Sequence, residues 1–432
     1  MQRNSAGQAA SYVLGLFSAG LAAGGWVGSV AVARAVDPYD EVELLAHVLG
    51  TIQRDFVDPV PPGALVDAAV DGMMAALDPH SRWLSADDYA AFDLETAGTD
   101  LGIGVAVVAR DGGVTIGDVV GGSPAGRDGL APGDTLVAID GEPVSGLTPS
   151  EIEDRLRGAR GAPVTLSVVR HGAPLEVHTV RDTVHVPATT VELLPDGVAY
   201  LRLTQFQRGA AFEVTDAMRG LDQRGMTALV LDLRDNPGGL LEEAVGVADL
   251  FLEQGPIVTT RGRVDGEQVH YATPGGYAGL PVVVLVNGRS ASAAEVVAGA
   301  LQDTRRAQLV GARTWGKGSV QTVYENEDGS AMKLTIGRYY TPSGEPVADR
   351  DGREPDVPVA MPARPTAASA LRARIGALPI TEPERAEMLA LLAAIEPGSA
   401  SEAPVPWTVA ASERGDTDPQ LARAIEMVSA AR

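Results

Sequence analysis

Val282-Val283-Val284-Leu285-Val286, followed a few residues later by Ser290-Ala291-Ser292-Ala293-Ala294-Glu295 and an apolar helical stretch to Leu301, decides how the rest of the chain is read. Apolar residues in an unbroken run, without polar alternation, fit a strand buried on both faces, as in a parallel sheet covered by helices. A second unit of this kind precedes it. Ala228-Leu229-Val230-Leu231 is another continuous apolar strand, and Leu240 to Leu252 reads as the helix after it. Ala307 to Val310 and Met332 to Tyr340 add further strands, so the chain from Gly197 to about Val359 is expected to form a mixed α/β core.

The chemistry lies in the loops that leave these strands, where reactive groups are usually mounted. Lysine occurs only twice, at Lys317 and Lys333, and arginine supplies the remaining positive charge. Arginine cannot lose its proton near neutral pH, whereas a lysine buried beside a hydroxyl can become the neutral amine and act as a general base. A free lysine titrates near ~10.4, so that role needs a fall of about three units, or roughly 4 kcal/mol against the charged form. The glycines beside Lys317, together with Trp315, are expected to shape a tight, water-poor pocket for it. Ser292 is the candidate partner, with Ser290 a second hydroxyl in reach. Ser292-x-x-Glu295 ahead of an apolar helix also spells a capping box. The cap and the nucleophile are compatible, because a hydroxyl at a helix N-terminus sits at the positive end of the dipole.

Gly311-Ala312-Arg313-Thr314-Trp315-Gly316-Lys317 satisfies most of a phosphate-binding loop and raises nucleotide binding as an alternative. Gly318 brings no hydroxyl for a metal, and Ser319-Val320-Gln321-Thr322-Val323-Tyr324 reads as strand where that motif requires helix.

Upstream of the core, residues 98–183 change texture to short β-rich runs between glycine turns. Val105 to Val108, Val114 to Ile116, Thr135 to Ile139 and Val164 to Val169 read as strands, with a short helix over Ser150 to Leu156. Residues 36–97 read as helical, with apolar spacing over Val42 to Phe56 and Leu65 to Leu77 and an end near Phe92. Residues 1–35 carry no charge between Arg3 and Arg34 and are apolar from Ala9 to Ala33, the pattern of an export signal or an uncleaved membrane anchor. Residues 361–432 read as a linker and helical stretches over Glu382 to Ile395 and Pro419 to Ala431.

Composition narrows the rest. A chain of 432 residues with 45% hydrophobic content is expected to hold roughly two to four domains. A net charge of −23 repels nucleic acid. With no cysteine there is no disulfide, thiolate metal site or cysteine nucleophile. The six histidines show no order resembling a Ser-His-Asp triad and read as structural or surface residues.

In order and spacing, Leu231-Asp232-Leu233-Arg234-Asp235-Asn236-Pro237-Gly238-Gly239, Ser290 to Glu295 and Gly316-Lys317-Gly318-Ser319-Val320-Gln321 resemble the carboxyl-terminal processing (tail-specific) serine peptidases. Leu77-Asp78-Pro79-His80-Ser81 and Tyr339-Tyr340-Thr341-Pro342-Ser343-Gly344 extend the likeness, which covers roughly Glu41 to Val359. It implies a multidomain α+β protein in which a crotonase-like (Clp protease-like) core over 184–360 carries an inserted PDZ domain. It implies Ser292 as nucleophile, Lys317 as base, Gln321 orienting the amine, and the N–H groups of Gly238 and Ala293 as the oxyanion hole. Leu101-Gly102-Ile103-Gly104 matches the PDZ loop that holds a chain-terminal carboxylate while the peptide adds as a strand. An arginine of that domain, Arg157 or Arg170, is the candidate reporter of tail occupancy. Ala294 and Asp235 replace a serine and an asparagine frequent in the family. The implied partners are proteins or peptides with apolar C-termini, an activator or adaptor protein, and a second copy of the chain. The apolar segment over residues 9–33 places the expected protein in the periplasm or at the extracytoplasmic face of the membrane, and no metal or organic cofactor is called for. A non-catalytic PDZ adaptor is the rival reading, and it would not require Ser292, Lys317 and Gln321 together.

Overall fold

The structure is a computed structural model that describes residues 38–110, 113–347, 352–361 and 418–431, with isolated positions at 375, 381, 385, 386 and 388. The expected leader lies outside the described residues, as does most of the helix expected over Glu382 to Ile395. No helix among the described residues is long and apolar enough to cross a membrane.

The chain divides after Val70 into two units. In the first, α1 (Pro38–Asp55) leads to α2 (Pro62–Ala75), whose last turn passes the division. The second unit opens with β1 (Arg82–Leu84), α3 (Ala86–Thr96) and β2 (Thr99–Gly102). α3 falls within the helical region expected over residues 36–97 and ends at Thr96, a few residues beyond Phe92; Ser85 caps its N-terminus, its Oγ accepting from Asp88 N–H at 3.2 Å. Asp78 then pins the entry: its carboxylate accepts from His80 N–H (2.8 Å), Ser81 N–H (2.9 Å) and Ser81 Oγ (2.8 Å).

The β-rich region is a closed domain. β3 (Val105–Arg110), β4 (Gly113–Val119), β5 (Thr135–Ile139), β6 (Glu142–Pro143), β7 (Pro163–Arg170) and β8 (Ala173–Val180) form one antiparallel sheet, with α4 (Pro124–Arg127) and α5 (Pro149–Leu156) packed against it. Val114, Ile116, Leu136, Leu166 and Val168 meet Ile152 and Leu156 of α5 in its core. Thr148 and Glu151 give α5 a capping box. β9 (Asp182–His185) pairs with β2, so the chain enters and leaves the domain side by side.

β10 (Thr189–Leu193), β11 (Val198–Leu203), α6 (Ala210–Gln223), β12 (Ala228–Asp232), α7 (Leu241–Asp249), the hairpin β13 (Pro256–Gly262) and β14 (Gly266–Tyr271), β15 (Val282–Val286), α8 (Ala293–Asp303), β16 (Gln308–Gly311), β17 (Ser319–Glu325), β18 (Ala331–Tyr340) and β19 (Val357–Pro358) follow. The central sheet has the order β10-β11-β12-β15-β16-β19, parallel except for β10. Leu201, Leu229, Leu231, Val284 and Val286 face Val214, Met218, Val247, Val297 and Leu301 of α6, α7 and α8. On the other face, Tyr200, Val230, Val283, Leu285 and Val310 pack against Leu421, Ala424 and Val428 of α9 (Pro419–Ala430). The apolar runs are continuous because both faces are covered. The C-terminal helix is therefore part of the core's own cover. A second sheet, β1-β18-β13-β14 with β17 on β18, stands beside the first.

Candidate active site

Three loops leave the carboxyl ends of the parallel strands: Leu233–Leu240 after β12, Asn287–Ser292 after β15 and Ala312–Gly318 after β16. This is where open α/β sheets place their ligands. Buried hydrogen bonds weld the loops together. Asn236, fully buried, donates Nδ2–H to the Leu203 carbonyl (2.8 Å), and its own carbonyl accepts from Ala291 N–H (2.9 Å). Ser290 Oγ donates to the Leu233 carbonyl (2.7 Å) and accepts from Asn287 N–H (3.0 Å). The Ser290 carbonyl in turn accepts from Trp315 N–H (3.0 Å). Ser290 is thus a structural clasp, which leaves Ser292 as the hydroxyl of this loop that lines the cavity.

Ser292 holds φ 55° and ψ −117°, a conformation that L-residues rarely adopt and that costs about 1–3 kcal/mol. Two contacts sustain it. Its N–H donates to Glu295 Oε2 (2.9 Å), and Gly238 closes against it from the neighbouring loop. A Cβ on Gly238, at φ +104°, would lie 2.7 Å from Ser292 Cβ, 2.8 Å from the Ala291 carbonyl and 2.9 Å from Ala293 N. Gly238→Ala is therefore expected to displace the Ser292 loop and lower kcat/KM by at least about a hundredfold; a rate within threefold of the parent would contradict this packing.

Glu295 has a role that spacing did not reveal. Its carboxylate, with no solvent exposure, accepts from Ser292 N–H, from Thr314 Oγ1 (2.5 Å), from Gly316 N–H (2.7 Å) and from Lys317 N–H (2.8 Å). The expected capping box is present, its Glu295 arm at 2.9 Å from Ser292 N, and the same side chain fastens the lysine loop to the serine loop. The sequence signal was the cap alone, because the other three donors come from a loop remote along the chain. Glu295→Gln would set an amide NH₂ against a backbone N–H. It is expected to destabilise the fold by about 1–3 kcal/mol, read as a lower urea midpoint, and to weaken turnover as well.

A cavity of about 580 Å³ opens over these loops, lined by Ser292, Lys317, Ser319, Gln321, Gly238 and Lys333 among others. Ser292 is 6% exposed. Burial, with the Arg82 guanidinium nearby, lowers the Lys317 amine below the ordinary lysine range, and Glu295 opposes the fall. Trp315 does not contribute the expected dryness: it is 59% exposed and outside the cavity lining. Close packing does so instead, since a Cβ on Gly318 would lie 1.5 Å from the Val347 carbonyl. Gln321, on β17 opposite Thr335, lines the cavity with a buried Nε2 that has no hydrogen-bond partner. Ser319 Oγ is also buried and unpartnered there, a cavity group the sequence reading did not single out. Gly238 N–H is engaged by Asn236 Oδ1 at 2.9 Å, whereas Ala293 opens α8, where helix N–H groups lack partners within the helix.

The two departures from the family pattern are absorbed. Asp235 and Asn287 exchange hydrogen bonds, each at 3.0 Å, and Ala294 is fully buried in α8. Behind the site, burial pushes the Asp232 carboxyl up, but Arg234 and then Arg202 outweigh it and hold it at about 2. Arg234 also reaches Asp418 (2.9 Å) at the start of α9. Leu77–Ser81 proves structural: Ser81 Oγ accepts from Thr335 N–H (3.1 Å), tying the segment to β18. Of the histidines, His270 lines the cavity.

In the β domain, a groove of about 140 Å³ between β3 and α5 is lined by Gly102, Ile103, Gly104, Leu156 and Arg157. Leu101 lies in β2, its carbonyl accepting from Gly158 N–H (3.2 Å), and is not part of the lining. Arg170 is bound to Asp134 through two 2.7 Å bonds and so serves the domain's own structure. Arg157, held by Asp100 (3.1 Å), stands at the groove.

Comparison with known proteins agrees with this architecture. Residues 197–359 match Peptidase family S41 and residues 109–170 a PDZ domain. The carboxy-terminal-processing protease of Bartonella bacilliformis is 35% identical over 342 residues, covering 77% of this chain and 78% of that protein. The chain belongs to peptidase family S41. It is a carboxyl-terminal processing serine protease with a PDZ domain, which rules out the adaptor reading. The Bacillus subtilis carboxy-terminal processing protease CtpA is 34% identical over 314 residues, 72% of this chain and 67% of that one. A solved structure from Bacteroides fragilis assigned to the S41 proteases shares the fold, with a TM-score of 0.50, 20% identity and coverage of 81% and 98%. The photosystem II D1 C-terminal processing protease aligns with a TM-score of 0.46 at 29% identity, over 74% of this chain and 94% of that one. The nucleotide-binding alternative fails on geometry, because the residues after Lys317 form β17 and no helix follows the loop.

Proposed function

We propose that this S41 peptidase captures an apolar C-terminal tail in its PDZ groove and cleaves exported proteins with Ser292 as nucleophile and Lys317 as general base. The observation that carries the reading is that Ser292 and Lys317 line one cavity while Glu295 holds the backbone N–H of both. The neutral Lys317 amine takes the Ser292 proton as Oγ attacks the scissile carbonyl carbon. Charge gathers on the carbonyl oxygen, and N–H donors from Ala293 and the Gly238 loop stabilise it; such donors are usually the largest catalytic contribution. Gly238 contributes once its N–H leaves Asn236. The Lys317 ammonium then protonates the departing amine, leaving an acyl-enzyme. A water that gives its proton to the same amine hydrolyses the ester and restores both groups. The Gln321 amide, whose buried Nε2 has no hydrogen-bond partner, is available to orient the Lys317 amine.

The tail enters the groove beside Gly102, Ile103 and Gly104, its carboxylate held by main-chain N–H groups and its strand added to β3. Apolar tails suit a groove walled by Ile103, Val105 and Leu156. Arg157, which lines the groove, is the arginine we assign to reporting occupancy. Export rests on the apolar segment over residues 9–33, which would also tether an uncleaved form to the membrane. Val42, Leu44, Leu45 and Val48 of α1 are 44–62% exposed, and we assign them to contact with a second copy of the chain or an activator protein.

The test compares a soluble substrate ending in an apolar tail with the same substrate amidated at its C-terminus. The free carboxylate should be cleaved with a KM at least about tenfold lower. Equal KM values would reject tail capture while leaving the peptidase assignment intact.

A further inference from the structure

The chain's other lysine is in the same cavity. Lys333 lies on β18, with Val323 of β17 on one side and Arg82 of β1 directly opposite on the other. Like charges opposed across a ladder are unfavourable, and neither lysine has an ion-pair partner within 4.0 Å among the described residues. The Lys333 ammonium lies 4.9 Å from the centre of the Phe92 ring of α3. An acidic protein that uses lysine only twice thus places both, half-buried, against one cavity with an arginine beside them.

We propose that Lys333, together with Arg82, is a positioning residue for proteolysis, its positive charge opposing protonation of Lys317 and so keeping the base ready to accept the Ser292 proton. The inference rests on the reading of Lys317 as the base. A cationic neighbour is one of the known ways to activate a lysine. Burial first, then the charges of Lys317 and Arg82, bring Lys333 itself to about 8, with Glu95 opposing. The two lysines line one cavity, and the competent state under this proposal is the one in which Lys317 is neutral and the remaining proton sits on Lys333. Other charges face the pair. Glu95 of α3 faces Lys333, Glu295 lies beside Lys317, and the Asp93–Arg208 pair (3.5 Å), Glu242, Asp265 and His270 line the remaining wall.

The measurement is the pH dependence of kcat/KM in the full chain, beside the ¹³Cε resonances of isotope-labelled lysine, which this sequence limits to two. Lys333→Met should raise the midpoint of the acidic limb by roughly one pH unit, a loss of about tenfold below it that shrinks as pH rises. The Lys317 resonance should shift its titration in the same direction. Lys333→Arg, which keeps the charge, should hold the parent midpoint. Arg82→Gln, at an exposed position, should raise it as well and serves as the deciding variant should Lys333→Met fail to fold. Midpoints unchanged in both Lys333→Met and Arg82→Gln would overturn the proposal. Retained turnover in Lys317→Met would instead sink the underlying assignment of the base, so the two failures are distinguishable.

Discussion

Ser292→Ala is expected to lower kcat by about 10⁴-fold or more while leaving affinity for an apolar C-terminal peptide at the parent value. The size follows from the chemistry: without Oγ no acyl-enzyme forms, and the remaining rate is what binding and oxyanion stabilisation give to attack by water. The selectivity follows from the architecture, because the groove proposed to hold the tail lies between β3 and α5 of the PDZ domain and uses no atom of the serine loop. Ser290 does not compensate, since its hydroxyl already donates to the Leu233 carbonyl. Product analysis with an unfolded substrate, beside isothermal titration with the isolated tail peptide, checks both halves. Turnover within tenfold of the parent would remove Ser292 from the mechanism.

Lys317→Arg should be nearly as damaging, by about 10³-fold or more, although the charge is kept. The guanidinium stays protonated at every accessible pH, so it can neither take the Ser292 proton nor return it to the leaving amine. The pH dependence of the parent carries the sign. Burial and Arg82 lower the Lys317 amine relative to free lysine, so its neutral fraction, and with it the rate, should rise with pH through that lowered midpoint and fall below it. Raising the pH should not rescue the arginine variant. Recovery of activity in alkaline buffer would mean that position 317 supplies only charge.

Much of this was legible in the chain because the physics is local. Val282–Val286 and Ala228–Leu231 read as buried parallel strands from their unbroken apolar runs, and residue type and motif order singled out Ser292 and Lys317, which the fold brings to one cavity. What escaped depends on partners remote in sequence. The β13–β14 hairpin alternates Thr259, Thr260 and Arg261 against Glu267, Gln268 and Val269, a polar texture that resembles loop until the pairing is known. Glu295 looked like a cap because its bonds to Thr314, Gly316 and Lys317 exist only after folding. Lys333 was visible only as the second lysine, and its place in the cavity depends on the register of β18 against β1. The same holds for α9: its helical pattern was plain, but not that Asp418 would meet Arg234 of the loop after β12.

The central claim is that peptide cleavage passes through an ester on Ser292 formed with the help of Lys317. Rapid acid quench during turnover, followed by mass spectrometry of the digested enzyme, tests it most directly. The acyl group should appear on the peptide containing Ser292 in the parent and be absent from Ser292→Ala and Lys317→Arg. Acylation at another residue, or steady cleavage by Ser292→Ala, would contradict the account.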